Sequence, residues 1–242
     1  MVILNIICLL IILLCLYKIY QIFVESNTLR EMKDAFASKY IRLHTTLIKD
    51  LTFPDMTNEN LDFFAIIDTK TNYYGNAISI GVVVVNSHFE IQQAQYYLIP
   101  EELIHDHNHK DDFDIVHVYK TYFGRLFDCE NHIRTLMNQY NITNIYAYNA
   151  FYVKKSLPEM NDYNWFDIAK VATYKQYNHE LPRDADYDEN GQLLRYAMKN
   201  VIELMMKTYY KCVNHALYNA LDELKIMKLI GLPIEKYSHT KI

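Results

Sequence analysis

Asp68 and Lys70 stand two residues apart at the end of an apolar run, inside the stretch FFAIIDTKTNYYGNAISIGVVVV, Phe63 to Val85. On an extended chain, residues i and i+2 point to the same face, so an acid and a base should project together from the end of a strand. Such a pair is either an exposed surface ion pair, worth at most about 1 kcal/mol, or a site whose charge pattern has been altered. A second grouping, HDHNHKDDFD from His105 to Asp114, alternates histidine with acid. Histidines at i and i+2 can converge on a transition metal, although the same composition also suits a solvated loop. Cys8, Cys15, Cys129 and Cys212 have no metal-type spacing and read as reduced thiols. Trp165 and the many tyrosines could stack on bases, but scattered aromatics read first as core.

The elements that must position Asp68 and Lys70 come from the pattern around them. Apolar and β-branched runs separated by polar turns predict strands at Asp62–Asp68, Ala77–Val85 and Gln92–Ile99, joined as a meander. After the polar segment beginning at Pro100, helical spacing is expected near Tyr122–Tyr140, a strand at Asn144–Tyr148 and a helix near Ala150–Leu157. A short strand follows near Trp165–Ile168, then helices near Leu193–Lys207 and Val213–Ile230. The last helix shows Leu217, Ala220, Leu221, Leu224 and Met227 on one face, and Gly231-Leu232-Pro233 stops it. A meander followed by alternating helices and strands predicts an α/β architecture with a mixed sheet.

Residues 1–24, MVILNIICLLIILLCLYKIYQIFV, hold a single charged side chain, Lys18. About 17–25 mostly apolar residues suffice to cross a bilayer, so this segment is expected to be a single-pass membrane anchor. A cleaved signal would want a basic start and a small-x-small site, and a core helix would want a polar face; neither is present. Lys18, Arg30 and Lys33 follow the apolar stretch, which places the rest of the chain on the cytoplasmic side under the positive-inside bias. The expected organisation is an anchor over 1–24, a linker with a helix over 25–60, the main domain over 61–232 and a C-terminal tail over 233–242. The formal charge of −5 without a long basic block argues against tight nonspecific duplex binding, which depends on neutralising phosphates. A local basic groove is compatible with it.

Three segments of the main domain, in order, resemble the motifs of DEDD-type 3′–5′ exonucleases of the histidine subgroup, a ribonuclease H-like family that includes proofreading epsilon-like domains and RNase T. The stretch Phe63–Val85 resembles the first, a strand ending in Asp-x-Glu and followed by Ser-Ile-Gly. YAYNAFYVKKSL, Tyr146–Leu157, resembles the second, in which Asn-Ala leads to an Asp on a helix. VNHALYNALDELKIMKLIG, Val213–Gly231, resembles the third, and WFDIAKVATYKQYNHELP resembles the segment linking the last two. The resemblance implies a mixed five-stranded sheet flanked by helices. It also implies two Mg²⁺ or Mn²⁺ ions held by carboxylates, one activating water and the other stabilising the leaving oxygen, with a histidine as general base.

Carried over position by position, the first Asp is Asp68, the expected Glu falls on Lys70 and the helix Asp falls on Val153. The general-base His falls on Asn214 and the last Asp on Asn219, while Asn149 in the second motif is a candidate nucleic-acid contact. Only Asp68 remains as a metal ligand should the chain be active. Valine offers no lone pair, an amide oxygen is a poorer ligand than a carboxylate, and an ammonium competes with a cation for the same space. His215, one place after the expected base, would face elsewhere, because one helical residue rotates a side chain by about 100°. Asp167 and Asp222 look like inherited structure. The expectation is a membrane-anchored, exonuclease-like domain that needs no metal and retains binding to single-stranded nucleic acid or to a protein partner. The alternatives are an active Mg²⁺- or Mn²⁺-dependent 3′–5′ exonuclease with non-standard ligands, and a protein-interaction module with no nucleotide ligand.

Overall fold

The computed structural model describes Lys18 and residues 62–103, 120–210 and 214–242. The chain divides into two compact units, Met1–Thr52 and Phe53–Ile242, and the account below concerns the second. The expected anchor (Lys18 apart), the linker over 25–60 and the His105–Asp114 loop lie outside the described residues. Among the described residues no helix is long and apolar enough to cross a membrane.

Strands β1 (Phe63–Thr71), β2 (Ala77–Asn86) and β3 (Ile91–Leu98) form the antiparallel meander that the turn chemistry anticipates. In both connections an asparagine shapes the turn. The Asn72 Oδ1 accepts the N–H groups of Tyr74 and Asn76 at 3.0 and 3.1 Å, and the Asn86 Oδ1 accepts those of His88 and Glu90 at 3.0 and 2.9 Å. These contacts mimic a backbone turn. All ten residues of β2, AISIGVVVVN, are buried, as expected for a strand covered on both faces, where an apolar run replaces alternation.

Three further strands complete a six-stranded sheet: β4 (Lys120–Phe123), β5 (Asn144–Ala147) and β6 (Asn164–Asp167), in the order β4-β3-β2-β1-β5-β6. β5 runs parallel to β1, β6 to β5 and β4 to β3, so β2 alone opposes the other five. The helices are α1 (Pro100–Leu103), α2 (Leu126–Gln139), α3 (Ala150–Ser156), α4 (Ala169–Ala172), α5 (Met198–Met206) and α6 (Ala216–Ile230).

The sheet therefore has one strand more than the five expected. β4 occupies residues taken from sequence as the start of a helix at Tyr122; the helix begins only at Leu126. The tetrapeptide KTYF is β-branched and aromatic and pairs Gln95–Leu98 with Lys120–Phe123. The chain then turns at Gly124, whose N–H reaches the Leu98 carbonyl at 3.3 Å. Residues 233–242, the expected tail, pack onto the body. Tyr237 and Thr240 are buried, Lys241 pairs with Phe166 beside β6, and the Ile242 N–H donates to the Trp165 carbonyl at 3.0 Å.

Alternation along β1 separates two apolar layers. Phe64 and Ile66 join the cluster built from α4, α5 and α6, whereas Ala65 and Ile67 join the one built from α2 and α3. The β1–β2 register slips between Lys70 and Thr71, leaving Ile78 as an extra residue opposite them. α6 stops at Gly231, whose φ of +67° forms the left-handed cap that glycine adopts without steric penalty.

The closest approach in the fold is at Gly81, which pairs with Asp68 across the β1–β2 ladder. A Cβ built there would lie 2.4 Å from the Ala216 carbonyl carbon and oxygen and from the Leu217 Cα. The first turn of α6 thus rests with its backbone on a strand that has no side chain at that point. Gly81→Ala is expected to cost at least about 1–3 kcal/mol by overpacking, because the obstructing atoms are backbone and cannot rotate away. Urea denaturation compared with wild type checks this; unchanged stability would mean that α6 does not seat there.

Candidate functional site

The chain leaves β1 toward β2, β3 and β4 on one side and returns to β5 on the other. Ligands of open α/β sheets bind in the crevice outside the carboxyl ends of the strands, where the strand order reverses. Here that point lies between β1 and β5. The parallel pairing of Ile66 with Tyr146 sets Asp68 level with Tyr148, just beyond β5.

Asp68 is 9% exposed. The Lys70 Nζ lies 3.5 Å from its Oδ2, so the i, i+2 geometry does bring acid and base together. Asn219, brought in by α6, hydrogen-bonds the same carboxylate. Burial nevertheless pushes the Asp68 carboxyl up to about 6, against the opposing pull of Lys70 and Asn219. Desolvation disfavours the charged form, and neighbouring cations and donors favour it.

One helical turn beyond Asn219 stands Glu223, fully buried, with neither carboxyl oxygen in a hydrogen bond. The Tyr148 N–H approaches it without good geometry and offsets little; burial first and then the Asp68 charge raise its pKa well above the ordinary carboxyl value. Both effects favour the protonated form of Glu223 beside Asp68. The motif comparison took the neighbouring Asp222 as inherited structure and gave Glu223 no role. Its i, i+4 spacing from Asn219, which puts both on one helix face, was the available signal.

Asp167 ends β6. Its Oδ1 accepts the N–H groups of Asn149 at 3.0 Å and Ala169 at 2.9 Å, tying together the ends of β5 and β6. Burial raises its pKa, and those backbone donors oppose the rise. Asn149 is exposed and left-handed, at φ 59° and ψ 49°, a conformation asparagine tolerates; it turns the chain from β5 into α3.

Val153 is buried with Ala65 and Ile67, the β1 residues facing away from Asp68. Its carbonyl accepts the Ser156 hydroxyl at 2.8 Å, and that hydroxyl meets Thr69 Oγ1 at 2.9 Å, which sets the rotation of α3. His215 caps the start of α6, buried and stacked on Tyr96 at 4.1 Å between ring centroids, with Tyr218 edge-on at 5.1 Å. Asn214 before it is exposed. Asp222 accepts the Tyr210 hydroxyl.

A pair of divalent ions does not fit these residues. An ammonium fills the space beside Asp68, Asn219 supplies an amide, and Val153 sits in an apolar layer. Among the described residues no group of three His, Cys, Asp or Glu side chains is arranged to hold a metal ion. What remains is the Lys70 ammonium, paired with Asp68 at 3.5 Å at the carboxyl end of β1. A scan against protein-family models finds no match, and a search of curated proteins finds none either.

The raised acids set the pH dependence of folding. A raised folded-state pKa gives stability that is full below the unfolded value and lost as pH rises through the folded one. Asp68 shifts from 3.8 to about 6, Glu130 on α2 shifts from 4.5 to about 7 by burial, and Glu223 lies well above 4.5. Stability should therefore fall from about pH 4 upward through neutrality. Glu223→Gln keeps the neutral shape and should flatten the alkaline part of the decline. Melting temperatures of both proteins across this pH range check it; parallel curves would remove Glu223 as a contributor.

Proposed function

We propose that this chain is a catalytically silent member of the DEDD-type exonuclease group, with a ribonuclease H-like fold, which binds single-stranded nucleic acid without hydrolysing it. Residues 1–24 tether it to a membrane and the domain lies on the cytoplasmic side. The meander β1–β3, continued on the far side of β1 by the parallel strands β5 and β6, supports the fold assignment. It is the arrangement that the three sequence motifs imply.

The observation that carries the functional reading is the Lys70 ammonium 3.5 Å from Asp68, with Asn219 on the same carboxylate. In the hydrolytic reaction the metals supply several kcal/mol of charge stabilisation. A lysine can attract a phosphate, yet it neither generates a nucleophile nor bridges the attacking and leaving oxygens. Binding without cleavage is what the arrangement supports.

The full chain should leave a 3′-labelled single-stranded oligonucleotide intact in Mn²⁺, followed on a denaturing gel. Shortening that Asp68→Ala abolishes would overturn the reading. The K70E/N219D double variant should bind Mn²⁺ in calorimetry where the parent does not, because both positions adjoin Asp68. No gain in affinity would show that these positions do not converge as a ligand set.

A further inference from the structure

We infer that the hairpin tip between β1 and β2 is where the domain meets the bilayer: Tyr73 and Tyr74 seat in the headgroup layer of the membrane that holds the chain. The inference rests on the reading of residues 1–24 as a membrane anchor and adds the face of the domain that touches lipid.

The tip runs Thr71-Asn72-Tyr73-Tyr74-Gly75-Asn76 and carries no charged side chain. Tyr73 is 95% and Tyr74 76% exposed, and the two rings meet edge-to-face at 5.8 Å and 82°. A tyrosine has an apolar body and a polar end, and such rings collect at membrane–water interfaces, where one side is apolar and the other wet. Tyr209 is as exposed as Tyr74, but the Lys199 Nζ lies over its ring at 5.0 Å.

Moving backbone donors out of water is costly unless they are already hydrogen-bonded. In the tip, the N–H groups of Asn72 and Gly75 donate to the carbonyls of Asn76 and Asn72 at 2.9 and 3.0 Å. Those of Tyr74 and Asn76 donate to Asn72 Oδ1. The side-chain amides of both asparagines are taken by Glu102 Oε2, at 2.9 and 3.0 Å. The tip thus spends these donors internally and is braced against α1, so docking the rings orders little that was loose.

Reach is sufficient. The chain enters the domain at the start of β1, and the tip lies at the other end of that strand, whose nine residues span about 30 Å. The segment over 25–60 would cover about 54 Å as a helix and about 120 Å extended, so either conformation lets the tip return to the surface that holds residues 1–24. Tethering makes the contact intramolecular, and a weak one then suffices. An uncharged tip on a chain of net charge −5 favours aromatic seating over attraction to anionic lipid, so a zwitterionic surface is the partner and salt should have little effect.

Trp165 is the one tryptophan of the chain and is fully buried, which makes a tryptophan placed at the tip a specific probe. The full chain carrying Tyr73→Trp is reconstituted into phosphatidylcholine vesicles, with and without bromine on the acyl chains close below the headgroups. Its added emission should shift to the blue on reconstitution and be quenched by the brominated lipid, equally at low and high salt. The parent and a Tyr209→Trp variant should not be quenched. Retention in the vesicle fraction after alkaline carbonate, measured on the same samples, reports the anchor. An anchored chain whose tip is unquenched, is quenched no more than position 209, or loses its quenching in salt overturns this inference and leaves the anchor standing. A blue shift in detergent that grows with protein concentration assigns the tip to a second copy of the chain and overturns it too. Release of the chain by carbonate overturns both.

Discussion

The seating of α6 on β2 at Gly81 governs the arrangement of the polar centre. Helix backbone lies against strand backbone, with 2.4 Å between the Ala216 and Leu217 atoms and the place where a Cβ would stand. This contact lets the helix approach the sheet closer than any side chain at position 81 would allow. Asn219 and Glu223, one and two turns further along, are carried by the same helix to Asp68, Gly81's partner on the neighbouring strand. The apolar side of the helix, including Leu217, Ala220, Leu224 and Met227, supplies the adhesion, since burying each large side chain is worth roughly 1.5–3 kcal/mol. Adhesion alone would permit sliding; the absent side chain at position 81 specifies where the helix stops.

Electrostatically, the centre contains more acid than its surroundings can ionise. One ammonium faces Asp68, and burial together with the Asp68 charge favours the protonated form of Glu223. A second charge there would be unpaired inside the protein, where desolvation is costly. The Lys70 ammonium offsets part of the acidic charge of the centre. The unpartnered Glu223 oxygens carry a desolvation cost that the fold must offset elsewhere.

Much of this was legible in the chain itself. The alternation and asparagine turns around β1–β3, and the Gly-Leu-Pro stop after α6, are local signals that act over a few residues, and the structure follows them. The pairing of Asp68 with Lys70 required only the two-residue period of a strand. β4 was not legible because four residues carry too little periodicity to compete with the helical pattern beside them; its existence depends on a partner edge at Gln95–Leu98 that is remote in sequence. The direction in which Val153 faces depends on the rotation of α3, set by the Thr69–Ser156 contact across 87 positions, and no local pattern encodes that. Glu223 could have been read from its spacing to Asn219, but its burial and the raised pKa that follows from it depend on tertiary packing alone.

The extra residue in β2 opposite Lys70 and Thr71 has a mechanical consequence. A bulge absorbs a change of register within the ladder and sharpens the local twist. Past the bulge, the hairpin tip is pinned to α1: the Asn72 and Asn76 side-chain amides both donate to Glu102 Oε2, at 2.9 and 3.0 Å. The knuckle takes up the slip while the finger stays tethered, so a change of length between Thr71 and Ala77 would strain the Glu102 contacts before it reached the acid.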